Sequence, residues 1–167
     1  METAYIALGS NLPSPAGTPA QTLDAALARL AELGSVLAHS PYYETAPVGY
    51  ADQPSFLNAA AALSTSLGPE ALLDALLAIE RSLGRDRSHG IPNGPRTLDL
   101  DLLLYGNRIL STPELQLPHP RMAERAFVLV PLRDIAPGLI HPQTGQSVSQ
   151  LVKDLTQLKE ESSHGGR

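Results

Sequence analysis

Asp99 and Asp101 are separated by a single residue in the run Gly94-Pro95-Arg96-Thr97-Leu98-Asp99-Leu100-Asp101-Leu102-Leu103. Leucines alternate with the acids, and alternate side chains of a strand share a face. Leu98, Leu100, Leu102 and Leu104 are therefore expected to point into a core. Asp99 and Asp101 then point the other way, about 7 Å apart along the strand. Two carboxylates on one face repel each other and add nothing to the fold. Divalent cations remove that cost. Two Mg²⁺ ions about 4 Å apart, completed by phosphate and water oxygens, fit such a pair. The plainer reading is two aspartates on a solvated sheet face, and Asp-x-Asp alone does not separate the two.

The arginines add to this picture. Arg81, Arg85, Arg87 and Arg96 lie in one short stretch, and Arg121 and Arg125 form a second pair. The chain as a whole carries a formal net charge of −5. Arginine clusters in an acidic protein point to a small anion, phosphate above all, and no global positive field exists for nucleic acid. Solvated surface arginines are the competing explanation. Arg96 lies three residues before Asp99, at the strand entrance. Carboxylates that hold metal beside guanidinium groups are what phosphoryl transfer uses. No Walker A sequence is present, and Gly9-Ser10-Asn11 is not a glycine-rich phosphate loop. A nucleotide must then be held by arginines and metal.

The remaining composition sets limits. A length of 167 residues fits one domain with a real core. Cysteine is absent, which removes disulfides, zinc fingers and thiol nucleophiles and suits a reducing cytoplasm. Met1-Glu2-Thr3 lacks the charge of a signal peptide, and no apolar run spans a bilayer, so no membrane partner is expected. A monomer is expected, because no large apolar surface is evident beyond the core.

The elements that must carry these residues are legible in outline. Residues 4–9 read as a buried strand. Thr18-Pro19-Ala20-Gln21 has the form of a capping box with proline at the first helical position. Leu23, Leu27 and Leu30 follow at helical spacing, up to Gly34. A second strand is expected within residues 35–45, and residues 46–54 read as a loop. Phe56 to Leu67 is strand-like, although Ala59 to Ala62 suit a helix equally well. Pro69 opens the clearest helix, with a stripe from Leu72 to Leu83 and Gly84 as its stop. Arg85 to Pro95 is a loop, and Leu98 to Tyr105 is the strongest strand. Residues 108–120 are mixed and proline-rich. Ala126 to Ile135 is apolar and of either type. The order is β-α-β-β-α-β with a C-terminal extension. That is the ferredoxin-like α+β order, an antiparallel sheet with two helices on one face. One domain over residues 1–161 is expected, with 162–167 as a disordered tail.

At this point the chain resembles the 6-hydroxymethyl-7,8-dihydropterin pyrophosphokinase family. The resemblance runs from Ala4 to about Leu151. Its carriers are Ala4-Tyr5-Ile6-Ala7-Leu8-Gly9-Ser10-Asn11, Tyr43-Glu44-Thr45-Ala46-Pro47-Val48-Gly49 and Asp52-Gln53-Pro54-Ser55-Phe56-Leu57-Asn58-Ala59. The Gly94 to Asp101 signature follows, then Leu117-Pro118-His119-Pro120-Arg121-Met122 and Arg125-Ala126-Phe127-Val128-Leu129-Val130-Pro131-Leu132. The resemblance implies pyrophosphoryl transfer from ATP to the pterin alcohol, a step of folate synthesis, with two Mg²⁺ ions held by Asp99 and Asp101. It implies that Arg85 and Arg96 stabilise the transferring group and that Arg87 helps to close the site. It places Leu102, Gln116, His119 and Arg125, with Arg87 and Arg96, at ATP. Thr45, Ala46 and Val48 are implied at the pterin edge, Asn58 on its hydrogen-bonding groups, and Phe56 and Phe127 stacked on its ring. Pro92, Asn93 and Glu114 depart from residues that many family members carry there.

Each role has a bland competitor. Phe56 and Phe127 suit a core, and His119 suits a rigid loop between prolines. Glu80, on the helix before the arginine loop, either supports Arg85 or Arg96 or is a solvated side chain, and the solvated reading is preferred. Two other functions stay open on the sequence: a two-metal transferase acting on another acceptor, and a non-catalytic module or paralogue that binds a small effector such as a pterin.

Overall fold

The structure is a computed structural model that describes residues 1–45, 55–84 and 97–165, with side chains up to residue 157. In chain order the elements are β1 (Glu2–Ser10), α1 (Pro19–Leu30), β2 (Ser35–His39), β3 (Tyr43–Thr45), β4 (Phe56–Thr65), α2 (Pro69–Ser82) and β5 (Asp99–Tyr105). The short strands β6 (Leu110–Ser111) and β7 (Gln116–Leu117), a 3₁₀ turn at Met122–Glu124, α3 (Ala126–Ile135) and α4 (Val148–Gly165) follow. The main sheet runs β2-β4-β1-β5, and β3 pairs with β4 beyond β2. All of these pairings are antiparallel. This is the expected ferredoxin-like order, with the second strand in two pieces. The break falls at Ser40-Pro41, where proline has no amide hydrogen for the ladder. Ser40 bridges it: its N–H donates to the Ala60 carbonyl at 2.8 Å, and its hydroxyl accepts the Ala60 N–H at 2.9 Å.

Local chemistry starts the helices where the sequence says. The Thr18 hydroxyl accepts the Gln21 N–H and the Gln21 side chain accepts the Thr18 N–H, completing the capping box of α1. α2 starts with Pro69 at its first position and stops before Gly84, whose φ of 90° only glycine adopts easily. Ala126 to Ile135 resolves as helix. The alanine run resolves as strand, because β4 is central and its alanines are covered on both faces. Ala59 and Ala61 pack into one cluster and Ala60 into another. Tertiary burial overrides alanine's helical preference there.

The first cluster joins Ile6, Leu8, Leu100 and Leu102 of the sheet to Leu23 and Leu30 of α1 and to Leu72, Leu76 and Ile79 of α2. The second lies on the opposite face. It joins Ala60, Leu103 and Leu104 to Val128, Leu129 and Leu132 of α3 and to Val148, Leu151 and Val152 of α4. The C-terminal extension is therefore a third layer. Each fully buried leucine contributes about 1.5–3 kcal/mol. Leu104 corrects the alternation read from sequence. The register against β1 slips between Tyr5 and Ile6, so that Tyr5 faces Leu104 while Ile6 faces Leu102. A bulge of this kind inserts one extra residue. Leu103 and Leu104 therefore both enter the second cluster, while Leu98, Leu100 and Leu102 keep to the first. α4 carries helical backbone as far as Gly165, into the stretch expected as a tail. Among the described residues, no helix is long and apolar enough to cross a membrane.

The turn before α4 is organised by His141, which is 5% exposed. Its Nδ1 accepts the N–H groups of Gln143 and Thr144, both at 3.2 Å. Burial lowers its pKa from the usual 6.5. Below 6.5 the unfolded chain takes up a proton that the folded turn refuses. The unfolded state then binds more protons, so stability rises with pH across this window and is lost as pH falls through it. Thermal melts should therefore show a lower Tm at pH 5.5 than at about pH 7.5, with part of the difference removed in His141→Asn. An unchanged pH dependence in that variant would show that His141 is not its source.

Candidate active site

One cross-strand row organises the face that α3 and α4 only partly cover. Gly9 of β1 pairs with Asn58 of β4 on one side and with Asp99 of β5 on the other. Asn58 pairs in turn with Tyr43 of β3. One step along, Ala7 pairs with Ala60 and with Asp101. Paired residues in register share a sheet face, and Ala60 fixes that face as the one under α3. Two strand spacings separate Asn58 from Asp99, roughly 10 Å.

Gly9 keeps the floor between them bare. A Cβ there would lie 3.1 Å from Asn58 Oδ1 and 4.0 Å from the Asp99 Cβ. Asn58 is nearly buried, at 6% exposure. Its Nδ2 donates to the Thr45 hydroxyl at 2.6 Å, which turns Oδ1 toward the space above Gly9. A buried amide so arranged offers its acceptor to whatever occupies that space. Phe56 pairs with Thr45 and is half-buried at the end of the same wall.

β5 is an edge strand of the main sheet, and three of the contacts among the described residues bear on how its start is held. The pairing with β1 is one. The second is Ser10, fully buried, whose hydroxyl donates to the Thr97 carbonyl at 2.6 Å. The third is Glu80 of α2, whose Oε2 accepts the Leu100 N–H at 2.7 Å. Glu80 is 1% exposed, which corrects its reading as a solvated side chain. A helix placed against a sheet edge can satisfy the edge amides by a side chain, and an acid is the strongest acceptor for that purpose. Asp99 and Asp101 flank the amide so held.

After β7, the chain turns back along β5 through a cis Leu117–Pro118 bond. The His119 N–H donates to the Leu103 carbonyl at 2.9 Å. His119 Nδ1 accepts the Arg121 N–H at 3.2 Å, so Nε2 carries the proton and can donate to an anion. Burial first, and then Arg125, lower its pKa from 6.5, with Asp99 opposing and Arg121 adding to the effect. His119 is thus a neutral donor at pH 7 within electrostatic reach of Asp99 and Arg125. Arg125 precedes the first residue of α3, and its guanidinium carbon stands 5.6 Å from the centre of the Phe127 ring. Phe127 is half-buried against the second cluster.

The structure thus brings Asp99, Asp101, Asn58, Thr45 and Phe56 to one face, with His119 within electrostatic reach of both Asp99 and Arg125. Leu102 is not brought there. It is 3% exposed and its side chain lies in the first cluster, on the opposite face. Gln116 is exposed on β7. Arg85, Arg87, Arg96, Ala46 and Val48 lie outside the described residues. Gly9, Ser10 and Glu80 were missed by role in the sequence. Glycine inside a strand is the signal that could have found Gly9.

No group of three or more His, Cys, Asp or Glu stands together among the described residues. The donor set is the aspartate pair. Hard cations that keep water and take phosphate oxygens need only one or two carboxylates from a protein, so the pair fits Mg²⁺.

A ferredoxin-like sheet with paired acids on one open face and cationic side chains beside them defines an α+β phosphoryl-transfer class of site. The family is more specific. Residues 5–137 match the model of 7,8-dihydro-6-hydroxymethylpterin-pyrophosphokinase (HPPK), and the chain belongs to that family. A Pseudomonas aeruginosa protein named 2-amino-4-hydroxy-6-hydroxymethyldihydropteridine pyrophosphokinase is 49% identical over 152 residues, 91% of each chain. One of the same name from Haemophilus influenzae is 45% identical over 161 residues, covering 95% of this chain and 96% of its own. Among solved structures, a Plasmodium falciparum HPPK-DHPS superposes with a TM-score of 0.76 at 17% identity. That match covers 97% of this chain but 47% of the longer one, and it bears on the fold alone.

Glu80→Ala leaves the Leu100 amide without its acceptor and should cost about 1–3 kcal/mol. Denaturant unfolding checks this, and Glu80→Gln, which keeps an acceptor oxygen, should lose less. Equal losses would show that the hydrogen bond is not what Glu80 contributes.

Proposed function

We propose that this chain transfers the pyrophosphoryl group of ATP to the hydroxymethyl oxygen of 6-hydroxymethyl-7,8-dihydropterin, releasing AMP, in folate biosynthesis. The observation that carries the reading is the Asp99–Gly9–Asn58 row, taken with membership of the pyrophosphokinase family. It sets the Asn58 amide and the Asp99–Asp101 pair on one face, across a floor with no side chain at Gly9.

The pterin lies on this row. Asn58 Oδ1 accepts from the ring's N–H groups, Thr45 holds the Asn58 amide in place, and Phe56 and Phe127 stack on the ring. Ala46 and Val48 follow Thr45 in the chain and offer backbone groups to the ring edge. The hydroxymethyl arm then points over Gly9 toward β5. Asp99 and Asp101 hold two Mg²⁺ ions, which when bound neutralise the triphosphate and align it. His119 donates from Nε2 to a nucleotide oxygen, and Arg125 contributes charge beside it. Arg85, Arg87 and Arg96 draw charge off the transferring group, and Gln116 borders the nucleotide.

The alcohol oxygen attacks the β-phosphorus. The bond from that phosphorus to the α–β bridging oxygen breaks, AMP leaves with the electron pair, and the alcohol proton passes to solvent. Positioning and charge neutralisation supply the rate, without an obligatory general base. The protein acts as a cytoplasmic monomer, with residues 1–161 as its one domain.

Incubation with ATP, Mg²⁺ and the dihydropterin should give AMP only when all three are present. ADP would mark an ordinary kinase, and pyrophosphate a nucleotidyltransferase. Asp99→Asn and Asp101→Asn should each lower turnover by about 10²–10³ while the Tm is kept. Near-normal rates in either would remove that aspartate from the metal site. Gly9→Ala tests the floor. The backbone there is not left-handed, so the fold should survive while the methyl presses on Asn58. The KM for dihydropterin should rise about five-fold, the equivalent of ~1 kcal/mol; an unchanged KM would show that the ligand does not cross β1 at Gly9.

A further inference from the structure

The consecutive tyrosines Tyr42 and Tyr43, at the start of β3, point to opposite faces of the sheet. The Tyr42 hydroxyl donates to Asp24 Oδ1 of α1 at 2.5 Å. The Tyr43 hydroxyl donates to Asp134 Oδ2 in the last turn of α3. Each pair is charge-assisted, so each tie is stronger than a neutral hydrogen bond. β3 is thereby fastened to one helix on each face by side chains outside the two apolar clusters' leucine cores.

The two ties differ in what they join. α1 carries none of the site's side chains. α3 carries Phe127 at its second position and Asp134 two turns later, about 10 Å along the helix. β3 carries Thr45 two residues beyond Tyr43, and Tyr43 itself pairs with Asn58. Thr45 in turn accepts the Asn58 amide. The Tyr43–Asp134 bond is therefore a direct polar link between the strand that bears the Thr45–Asn58 wall and the helix that bears Phe127. The apolar packing of α3 sits on Ala60 and on α4. The Tyr43–Asp134 bond adds a directional polar restraint between α3 and β3 to that packing.

We propose that Tyr43 and Asp134 are positioning residues for the pterin. Their hydrogen bond sets the gap between the Asn58–Thr45–Phe56 wall and the Phe127 ring, and so the grip on the planar substrate. This rests on the reading that Phe127 stacks on the pterin. Asp134 also raises the pKa of the Tyr43 hydroxyl, with Arg133 opposing, so the donor keeps its proton throughout the neutral range.

The test is steady-state kinetics of the full chain with ATP and dihydropterin varied separately, beside thermal melts. Tyr43→Phe and Asp134→Ala should each raise the dihydropterin KM about five-fold, as expected for loss of one hydrogen bond to a charged group. In both, kcat and the KM for ATP should stay within about two-fold. The double variant should be no worse than either single one, because both remove the same bond. Asp134→Asn, which still offers an oxygen, should restore most of the loss. Tyr42→Phe, which cuts the tie on the far face, should leave the dihydropterin KM alone. An equal rise in Tyr42→Phe, additive losses in the double variant, or a fall in Tm with no change in KM would each overturn the proposal. Phe127→Ala separates the two readings. If it leaves the dihydropterin KM unchanged, the stacking role fails and the strap with it. If it raises that KM and Tyr43→Phe does not, only the strap fails.

Discussion

The hydrogen bond from the Leu100 amide to the buried carboxylate of Glu80 is the constraint on which the site's geometry depends. β5 lies at an edge of the main sheet, and an edge strand is ordinarily free to fray, twist or shift register. A shift of one residue would turn Asp99 and Asp101 into the first cluster and Leu100 out onto the open face. The leucines resist that by burial, the pairing with Gly9 and Ala7 sets the register, and Glu80 holds the outer edge between the two acids. Ser10 secures the backbone just before them. The Asp99–Asp101 pair is thus built on a strand fastened along both sides. Rigid support of this kind is what makes charge stabilisation available without rearrangement during the reaction.

The same sheet is used differently on its two faces. α1 and α2 cover one completely, and the leucines of β5 and β1 reach into them. The other face is covered by α3 and α4 over Ala60, Leu103 and Leu104. Toward Gly9 and Asn58 the side chains become small or polar. The division follows from residue size: alanine and glycine at Ala7, Gly9 and Ala60 let a helix or a ligand come close to the backbone. The bulge at Leu103 and Leu104 marks where the open face gives way to the covered one. Beyond it, both leucines are spent on the second cluster, and the acid pattern ends.

Much of this could be read before any coordinates. The alternation of Leu98 through Asp101, the capping box at Thr18 and the stripe of α2 rest on local rules, and the fold keeps them. The β-α-β-β-α-β order follows from the same signals. Other features were illegible for physical reasons. Leu104 follows a bulge, which depends on the partner strand and leaves no mark in a leucine run. Ala59 to Ala62 are strand only because neighbours surround them. Glu80 sits in a helix beside Arg81, where an acid has the composition of a solvated face, and only the approach of β5 makes it a buried acceptor. Leu102 shares the strand of Asp99 and Asp101 but belongs to the opposite face by simple parity, so nearness in sequence is a poor guide to the site there. Asn58 was legible in part, since an amide in an apolar run needs a partner; that the partner would be Thr45 depended on β3 pairing with β4.

The two halves of the site are connected through a single ring. Arg125 stands over Phe127, so under the proposed roles the side chain assigned to the nucleotide also rests on the one assigned to the pterin. An arginine drawn toward phosphate gives up part of its contact with the ring, and a ring engaged by a planar ligand changes the surface on which the arginine rests. His119 adds to the asymmetry. Kept neutral by burial and by Arg125, it puts no further positive charge beside the guanidinium, yet it keeps a donor for an anionic oxygen. The positive charge at this end therefore comes from the guanidinium of Arg125, while the histidine contributes direction. An acidic chain can hold a polyanion under these terms, because the relevant field is local: fixed donors and fixed cations gathered around one strand, with the remaining charge spread over a surface that water screens.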